Sequence, residues 1–467
     1  MDDIVRMANL HLKQSDLEQK IKDCDQAIAK KPNDFNAYNL RGLLRNELGD
    51  VNGAINDFNQ AITINNQMSV AFYNRGYIYD NQGDADSALK DYNTAIDLDL
   101  KEDFVYIERG NLYYGLQDFS KAINDYSIAI EINPNSAYAV YFRGMAFLAV
   151  EDYEHSLNDF SQALIIDQQF AVAYFNRAIV YLAIYKVDLA LADLDQAIDN
   201  DPYYKDVYLL RGSIFQINNR IDEAIADYNK AIEIDPDFSE AYYRRGCCVS
   251  AFDLSAGFDD FTKTIALDSN AFDAYINRGY IFYTNKKYYE AIDDCNQALA
   301  LDPQNAYALF TRALCFNNID RKEEAVTDYI HSISLDPLNP KVYHALGSTY
   351  TDLNNLPEAL NNFNKAITVD PNMAIAYRER AFVFNLLGNK DEAIKDYQQA
   401  LILNPDDWFT LSMRGSLYYQ LEKYALALAD FNKALALNPD SAGIAAFYDV
   451  KSKIQKLLGD AKDNNLD

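Results

Sequence analysis

The chain has 467 residues, of which 49% are hydrophobic, and its 42 Lys and Arg against 70 Asp and Glu give a formal net charge of −28. This length exceeds one ordinary hydrophobic core, so we expect either several domains or a stack of repeated units. The negative charge repels phosphate groups, which argues against nucleic acid and anionic membrane as partners. No apolar run approaches the roughly 18 residues that a membrane-spanning helix requires.

Residues 1–34 precede the regular part of the sequence. Asp2 and Asp3 stand where a secretory signal would be basic, so no export signal is predicted and we expect a cytoplasmic protein. The five cysteines are odd in number and form no CxxC pair, which fits reduced thiols. Ala27 and Pro32 have the spacing of the units that follow. We therefore interpret this segment as a degenerate N-terminal capping repeat.

Residues 35–441 form twelve tandem units of 34 residues, of which the seventh is one residue short. Periods of this size indicate stacked supersecondary units that bury their hydrophobic faces against one another. Position 8 of each unit is Gly or Ala, and position 7 is Arg in eleven of the twelve units. These arginines are Arg41, Arg75, Arg109, Arg143, Arg177, Arg211, Arg245, Arg278, Arg312, Arg380 and Arg414.

Each unit predicts two helices and a stop. Positions 4, 8 and 11 carry an aromatic residue, Gly or Ala, and another aromatic residue, which is the stripe of a buried helix face. Positions 20, 24 and 27 carry Ala, an aromatic residue and Ala, which predicts a second helix that packs closely. Nine of the eleven prolines stand at position 32, where the missing N–H ends the second helix. The pattern predicts an all-α solenoid of helix pairs.

This pattern resembles the tetratricopeptide repeat, and the resemblance covers about nine-tenths of the chain. It implies a right-handed superhelix of antiparallel helix pairs, in which the first helices line a concave groove and the second helices lie mostly outside. The sequence departs from the common family pattern at position 7, where the usual residue is an apolar Leu. A repeated Arg at that position requires a physical explanation.

Asp stands at position 23 in the same eleven units that have Arg at position 7, and the tenth unit has neither, with Leu346 and Asn362 instead. Loss of both together predicts an ion pair between the two helices, since keeping one partner would leave an uncompensated charge. Eleven copies favour a structural role over a ladder of binding arginines. The pairs include Arg41 with Asp57, Arg75 with Asp91, Arg211 with Asp227 and Arg414 with Asp430.

Positions 2, 5, 9 and 12 of the first helices form a second stripe, which the family resemblance assigns to the groove. In units two to five this stripe is unusually apolar, which predicts a groove that binds an extended peptide or an amphipathic helix. Alternatively, the side chains pack against neighbouring first helices and are never free. The candidate partner-binding residues are Tyr73, Tyr77, Phe104, Tyr138, Tyr141 and Phe175.

A small basic group stands in units ten and eleven, formed by Lys341, His344 and Arg378. It could capture a carboxylate, such as the C-terminus of a peptide. The favoured alternative is neutralisation by Asp352 and Glu379. The group resembles the carboxylate clamp of chaperone-binding members of the family only loosely, because no three consecutive units carry the full clamp set. Chaperone C-terminal tails are therefore not expected partners.

The C-terminal end follows a different pattern from the repeats. Residues 442–459 place Ile444, Phe447, Ile454 and Leu458 on one side of a predicted helix, as the cap of a solenoid should. Residues 460–467 are predicted to be a disordered tail.

The sequence carries no recognisable catalytic or cofactor motif. Its four histidines show no metal-ligand spacing, and it contains no GxGxxG, GxxxxGK or GxSxG motif. We therefore expect no catalytic residues, no metal and no cofactor. The sequence favours a cytoplasmic scaffold or adaptor that binds protein segments in its groove. The alternative is a regulatory or substrate-recruiting subunit of an enzyme complex whose catalytic chain is separate.

Overall fold

The computed structural model describes residues 14–438, 448 and 450–456. The chain divides into two compact units, Met1–Ile234 and Asp235–Asp467, which we call the N-terminal unit and the C-terminal unit. The regular elements of the described residues are all α-helices. Each unit is an α-α solenoid in which successive helices pack as antiparallel pairs. Each of the twelve predicted repeats contributes one pair.

From residue 14 onward, the N-terminal unit contains one helix before the first repeat and then six helix pairs. In chain order its helices are α1 Gln14–Lys30, α2 Phe35–Glu47, α3 Val51–Ile64, α4 Ser69–Asn81, α5 Ala85–Asp97, α6 Asp103–Gly115, α7 Phe119–Ile132, α8 Ala137–Ala149, α9 Tyr153–Ile166, α10 Ala171–Ala183, α11 Val187–Asn200, α12 Lys205–Ile217 and α13 Ile221–Ile234.

The C-terminal unit contains the six remaining pairs. Its helices are α14 Ser239–Val249, α15 Leu254–Leu267, α16 Phe272–Thr284, α17 Tyr288–Leu301, α18 Ala306–Asn318, α19 Lys322–Leu335, α20 Pro340–Asp352, α21 Leu356–Val369, α22 Ala374–Leu386, α23 Lys390–Leu403, α24 Trp408–Gln420 and α25 Tyr424–Leu437. Residues 448 and 450–456 are also helical.

The turn between the two helices of a repeat explains where each helix begins. Position 15 has a positive φ, as at Gly49 (81°) and Gly83 (78°), where glycine adopts the left-handed conformation without a steric cost. Position 16 then begins the second helix, and Asp50 and Asp84 accept hydrogen bonds there from backbone N–H groups three residues later. The three residues between the two helices therefore reverse the chain and cap the second helix.

Repeat 7, which is one residue short, closes this turn differently. All the residues of its turn are described, and none of them has a positive φ. The shorter connection brings Ser250 close to the second helix, so that a Cβ on Gly257 would lie 2.6 Å from the Ser250 Cβ. Glycine replaces the usual alanine at position 20 because only glycine fits this close approach.

The core lies between the paired helices. At position 24 an aromatic ring is fully buried in most repeats, as at Phe58, Tyr92 and Phe160. The small residue at position 8 leaves room for that ring, since a Cβ on Gly110 would lie 2.7 Å from the Tyr126 Cε1. The close approach of the two helices therefore depends on a small residue facing a large ring.

The two predicted caps are described only in part. Helix α1 packs against α2 and buries Cys24, and residues 1–13 lie outside the described residues. At the other end, the fully buried Ile454 packs against Tyr418 and Phe431 of the last repeat. The predicted cap residues Ile444, Phe447 and Leu458 and the predicted tail 460–467 lie outside the described residues.

Candidate functional site

The arginines at position 7 form two parallel hydrogen bonds with the aspartates at position 23 of the same repeat. Arg41 donates from Nε and Nη2 to the two carboxylate oxygens of Asp57, at 2.9 and 2.6 Å. The aspartates are almost fully buried, and the guanidinium groups also lie near the aromatic rings at positions 4 and 11. The same geometry joins Arg75 with Asp91, Arg211 with Asp227 and Arg414 with Asp430.

A third bond from the arginine reaches the preceding repeat, and sequence reasoning missed it. Arg109 donates from Nη1 to Asn93 Oδ1 at 2.6 Å, and Arg143 donates from Nη1 to Ser127 Oγ at 3.1 Å. The acceptor stands at position 25 of the preceding repeat, in its second helix. The signal in the sequence was therefore a short polar residue at that position. The arginine thereby connects three helices of two repeats. Further acceptors at position 25 are Asp25, Asn59, Ser161, Asp195, Thr262, Asn296 and Asn364.

Repeat 10 has lost every member of this arrangement. Leu346 is buried where the arginine would lie. Asn362 donates to the backbone carbonyl of Glu358, whereas the aspartates of the other repeats accept hydrogen bonds from an arginine. The acceptor position of the preceding repeat holds Ile330, which cannot accept a hydrogen bond. The three changes together leave no buried charge unpaired.

The apolar stripe of repeats 2–5 lies along neighbouring first helices that contact one another. We call the face formed by positions 2, 5, 6, 9 and 12 the first-helix face. Tyr73 and Phe104 are half-buried and meet edge-on, with ring centroids 4.8 Å apart. Phe175 is also half-buried and lies 5.1 Å from the ring of Tyr204. These three side chains therefore pack partly against neighbouring helices and partly face solvent.

The structure separates the remaining candidates on this face. Tyr77 is exposed, and Tyr138 keeps 62% of its surface exposed. Tyr141 is only 8% exposed, because its ring lies 5.0 Å from Phe170 and 5.7 Å from Phe160. Its hydroxyl also accepts a hydrogen bond from Asn176. The prediction that Tyr141 is available to bind a partner is therefore corrected, because its ring is packed inside the protein. Tyr77 and Tyr138 have accessible rings.

Two carboxylates lie on the same face beside these tyrosines. Tyr92 donates from its hydroxyl to Asp80 at 3.4 Å, and Asn111 donates from its side chain to Glu108 at 3.5 Å. Burial raises the pKa of both carboxyl groups, and the negative charge of Asp80 raises the pKa of Glu108 further. Among the described residues, neither carboxylate forms an ion pair. The face therefore holds two half-buried negative charges without a cation.

We expect the Glu108→Gln substitution to stabilise the protein at about pH 7 and to have no effect at about pH 4, near the ordinary pKa of a glutamate. The folded state raises the pKa of Glu108, so its contribution to stability is most favourable when the group is protonated and is lost as the pH rises through the raised pKa. Urea unfolding of both proteins at several pH values measures this difference. A variant that is less stable at every pH would show that Glu108 has a stabilising contact instead.

The predicted basic group of the C-terminal unit is not one site. Arg378 donates to Glu379 at 3.0 Å and to Asp407 at 3.1 Å, so nearby acids already occupy its guanidinium group. Burial, followed by the charge of Arg378, lowers the pKa of His344 to about 4. His344 is therefore uncharged near neutral pH. Asp352 contacts Lys322 at 3.6 Å, so it does not neutralise this group as expected.

Lys341 lies at the edge of an aromatic pocket that neither His344 nor Arg378 lines. The pocket has a volume of about 340 Å³, and residues from three consecutive first helices line it. Tyr280 and Tyr307 are exposed on its walls, and Lys341 has no ion pair among the described residues. The pocket can therefore hold a large apolar side chain close to a positive charge. Its lining residues are Tyr280, Tyr283, Tyr307, Phe310, Leu314, Asn339 and Lys341.

The described residues contain no group of three or more His, Cys, Asp or Glu side chains arranged to hold a metal ion. Within the same residues, no helix is long and apolar enough to cross a membrane.

Family models described as tetratricopeptide repeat match six of the twelve repeats. They match residues 35–68, 69–101, 104–136, 272–305, 374–407 and 408–441. A related model described as TPR repeat matches residues 212–247 and 347–388. Together these matches cover more than half of the chain. No curated protein matches the sequence.

Three solved structures that match this chain cover between 39% and 92% of its length. The APC/C hetero-tetramer Cut9-Hcn1 is 15% identical with a TM-score of 0.48, over 92% of this chain and 98% of that chain. YrrB, described as a TPR protein with an unusual peptide-binding site, is 23% identical with a TM-score of 0.35, over 39% and 95%. Yeast Tom70 is 17% identical with a TM-score of 0.36, over 86% and 96%.

Proposed function

Because the chain belongs to the tetratricopeptide repeat family, we propose that it is a protein-interaction scaffold that holds segments of partner proteins against its first-helix face. The observation that carries this proposal is the aromatic pocket of repeats 8–10. It combines exposed Tyr280 and Tyr307 with the unpaired Lys341. Exposed aromatic rings beside one charged group are typical of surfaces that bind protein segments.

The second-helix surface is less suited to this task. The aspartates of the second helices are already bonded to arginines of the first helices in their own repeats, as Asp294 is to Arg278, so these charged groups have little capacity for a ligand. The second helices also expose large apolar residues, such as Ile165 and Ile402, but these are aliphatic. The first helices of neighbouring repeats, in contrast, bring aromatic side chains from several repeats into contact.

We further propose that the chain has no catalytic activity of its own. From the sequence alone, we also propose a cytoplasmic location. Its partner is a protein or peptide, since the net charge of −28 opposes nucleic acid. A regulatory or substrate-recruiting subunit of an enzyme complex would use the same face. Stable co-purification with a catalytic polypeptide would favour that second function, and turnover by the pure chain would contradict both.

We expect the double substitution Tyr280→Ala and Tyr307→Ala to reduce capture of a partner from native lysate by about tenfold, because exposed aromatic anchors contribute most of the binding energy of such surfaces. Both rings are exposed, so the fold should be retained. Quantitative mass spectrometry of co-purified proteins measures the effect. A matched control removes two exposed residues of second helices, Ile165→Ala and Ile402→Ala. Equal loss from both variants, or loss only from the control, would contradict the proposal.

A further inference from the structure

The first-helix face of repeats 2–5 combines apolar side chains with charge of one sign. Of the twenty residues at positions 2, 5, 6, 9 and 12 of these repeats, two are charged, and both are acidic. They are Asp80 and Glu108, and no Lys or Arg stands at any of these positions. The remaining residues are mainly aromatic and aliphatic. A partner that covers this face must therefore supply apolar surface and any positive charge that the two carboxylates require.

The two carboxylates lie in one place rather than on separate surfaces. Asp80 is near the end of α4 and Glu108 is in α6, the neighbouring first helix, which contacts α4. Burial raises the pKa of Glu108, and the charge of Asp80 raises it further. The hydroxyl of Tyr92 contacts Asp80. Burial raises the pKa of Tyr73 and of Tyr92. The charge of Asp80 raises the pKa of Tyr92 further, and that of Glu108 raises both, because a nearby negative charge opposes loss of the hydroxyl proton. The two acids and the two tyrosines thus lie close together on this face.

Aromatic rings lie close together beside the two carboxylates. The ring of Tyr73 lies 5.9 Å from that of Tyr92 and 6.5 Å from that of Tyr77. Tyr77 is exposed and Tyr73 is half-buried, whereas Tyr92 is fully buried, so this group of rings is open to solvent on the side of Tyr77. Ring faces attract cations, and the attraction is stronger where water is partly excluded. Aromatic rings beside two carboxylates favour a lysine or an arginine over any neutral or acidic side chain.

Resting on the proposed function, we propose that the first-helix face of repeats 2–5 binds a basic amphipathic segment of a protein partner, with one lysine or arginine held between Asp80 and Glu108. The apolar side chains of that segment pack on Tyr77 and Tyr138, which are the accessible rings of the face. Burying one carboxylate near another is unfavourable in the free protein, and the cation of the partner relieves that cost.

Two synthetic peptides of the same apolar pattern test this proposal with the full-length chain. Each is about 15 residues long, with leucine and tryptophan on one helix face and either lysine or glutamate on the other. Fluorescence anisotropy measures their affinities at about 0.15 M salt, where long-range attraction by the net charge is screened. We expect the lysine peptide to bind and the glutamate peptide not to bind. Equal binding of both would overturn the proposal.

The site itself is tested with the double substitution Asp80→Asn and Glu108→Gln. We expect the affinity for the lysine peptide to fall by about tenfold, which corresponds to loss of one partly buried ion pair. The matched control, Asp97→Asn and Glu131→Gln, removes the same charge from the exposed last turns of α5 and α7 and should change the affinity less than about twofold. Equal losses in the two variants would mean that only the overall charge attracts the peptide.

Substitution of Tyr138 separates the apolar part of the interaction. Tyr138→Ala removes a ring that is mostly exposed, so it should lower the affinity of the lysine peptide several-fold without affecting the fold. An unchanged affinity would overturn the placement of the apolar side chains. The broader scaffold function fails separately, since it requires that partner capture from lysate depend on Tyr280 and Tyr307, whatever the charge preference of repeats 2–5.

Discussion

Replacing Asp125 with asparagine is expected to lower the free energy of unfolding by about 3–5 kcal/mol, because the substitution leaves the guanidinium group of Arg109 without its countercharge. Asp125 is 1% exposed and accepts two hydrogen bonds of 2.7 Å from Arg109. The arginine is only slightly exposed, so water can replace the lost carboxylate incompletely. The loss should therefore exceed that of any surface ion pair, which contributes about 0–1 kcal/mol.

Repeat 10 supplies the matched control for this prediction. The double variant Arg109→Leu and Asp125→Asn copies the natural combination of Leu346 and Asn362. We expect it to be more stable than either single variant, because removing both partners leaves no buried charge. Adding Asn93→Ile reproduces the third change, since Ile330 of repeat 9 stands where the acceptor for the arginine of repeat 10 would be.

Urea unfolding and hydrogen exchange together measure these changes. Repeat proteins can unfold in parts, so exchange should locate the loss of protection in α6 and α7 and their neighbours. Strictly additive losses in the double variant would contradict an ion pair as the reason for the paired pattern. A single Asp125→Asn variant as stable as wild type would show that the arginine finds other acceptors.

Replacing Phe160 with alanine is expected to lower the free energy of unfolding by about 3–5 kcal/mol, since it opens a cavity between the two helices of repeat 4. Phe160 is fully buried in a cluster with Val140, Tyr141 and Val180. A cavity at this position should also loosen the ring of Tyr141, which lies 5.7 Å from Phe160. Chemical unfolding gives the loss of stability, and near-ultraviolet circular dichroism reports the tyrosine environment.

Repeat 5 shows how the same two positions can be filled differently. It combines Ala178 with Leu194, where repeat 4 combines Gly144 with Phe160. A Cβ on Gly144 would lie 3.0 Å from the Phe160 ring, so Gly144→Ala alone should crowd the ring. We expect the double variant Gly144→Ala and Phe160→Leu to cost less than the sum of the two single variants. Costs that simply add would contradict direct contact between positions 8 and 24.

The fold could be predicted from the sequence because each repeat is a nearly independent copy of one pattern. Twelve copies of the same aromatic, glycine, alanine and proline positions leave one consistent assignment of helices. The family assignment and the all-α solenoid are confirmed. The ion pair was predictable for a different reason: Leu346 and Asn362 change in the same repeat, and such paired change indicates contact.

The hydrogen bond from these arginines to position 25 of the preceding repeat could not be predicted as readily. Its acceptor varies among Asn, Asp, Ser and Thr, and short polar residues are common on exposed helix surfaces. Position 25 therefore carries no distinctive pattern by itself. The acceptor emerges only when the structure brings the second helix of one repeat against the first helix of the next.

The accessibility of the first-helix face also required the structure. Tyr138 and Tyr141 occupy the same stripe, yet one is exposed and the other is buried. Phe170, which ends repeat 4, contacts both rings, but Tyr141 also packs against the buried Phe160. Tyr204 approaches Phe175 from the connection after repeat 5 in a similar way. The helical spacing of residues within a repeat cannot predict that a side chain from the loop after that repeat will cover them. The same reason hid the pairing of Arg378 with Asp407, a residue of the connection before the next repeat.

The most direct test of the scaffold proposal is photo-crosslinking from single positions of the full-length protein in native lysate. A photoreactive amino acid in place of Tyr138 or Tyr280 samples the first-helix face, and one in place of Ile165 or Ile402 samples the second helices. We expect discrete crosslinked partners from the two tyrosine positions and none in common with the two isoleucine positions. Crosslinked partners from the isoleucine positions alone would contradict binding by the first-helix face.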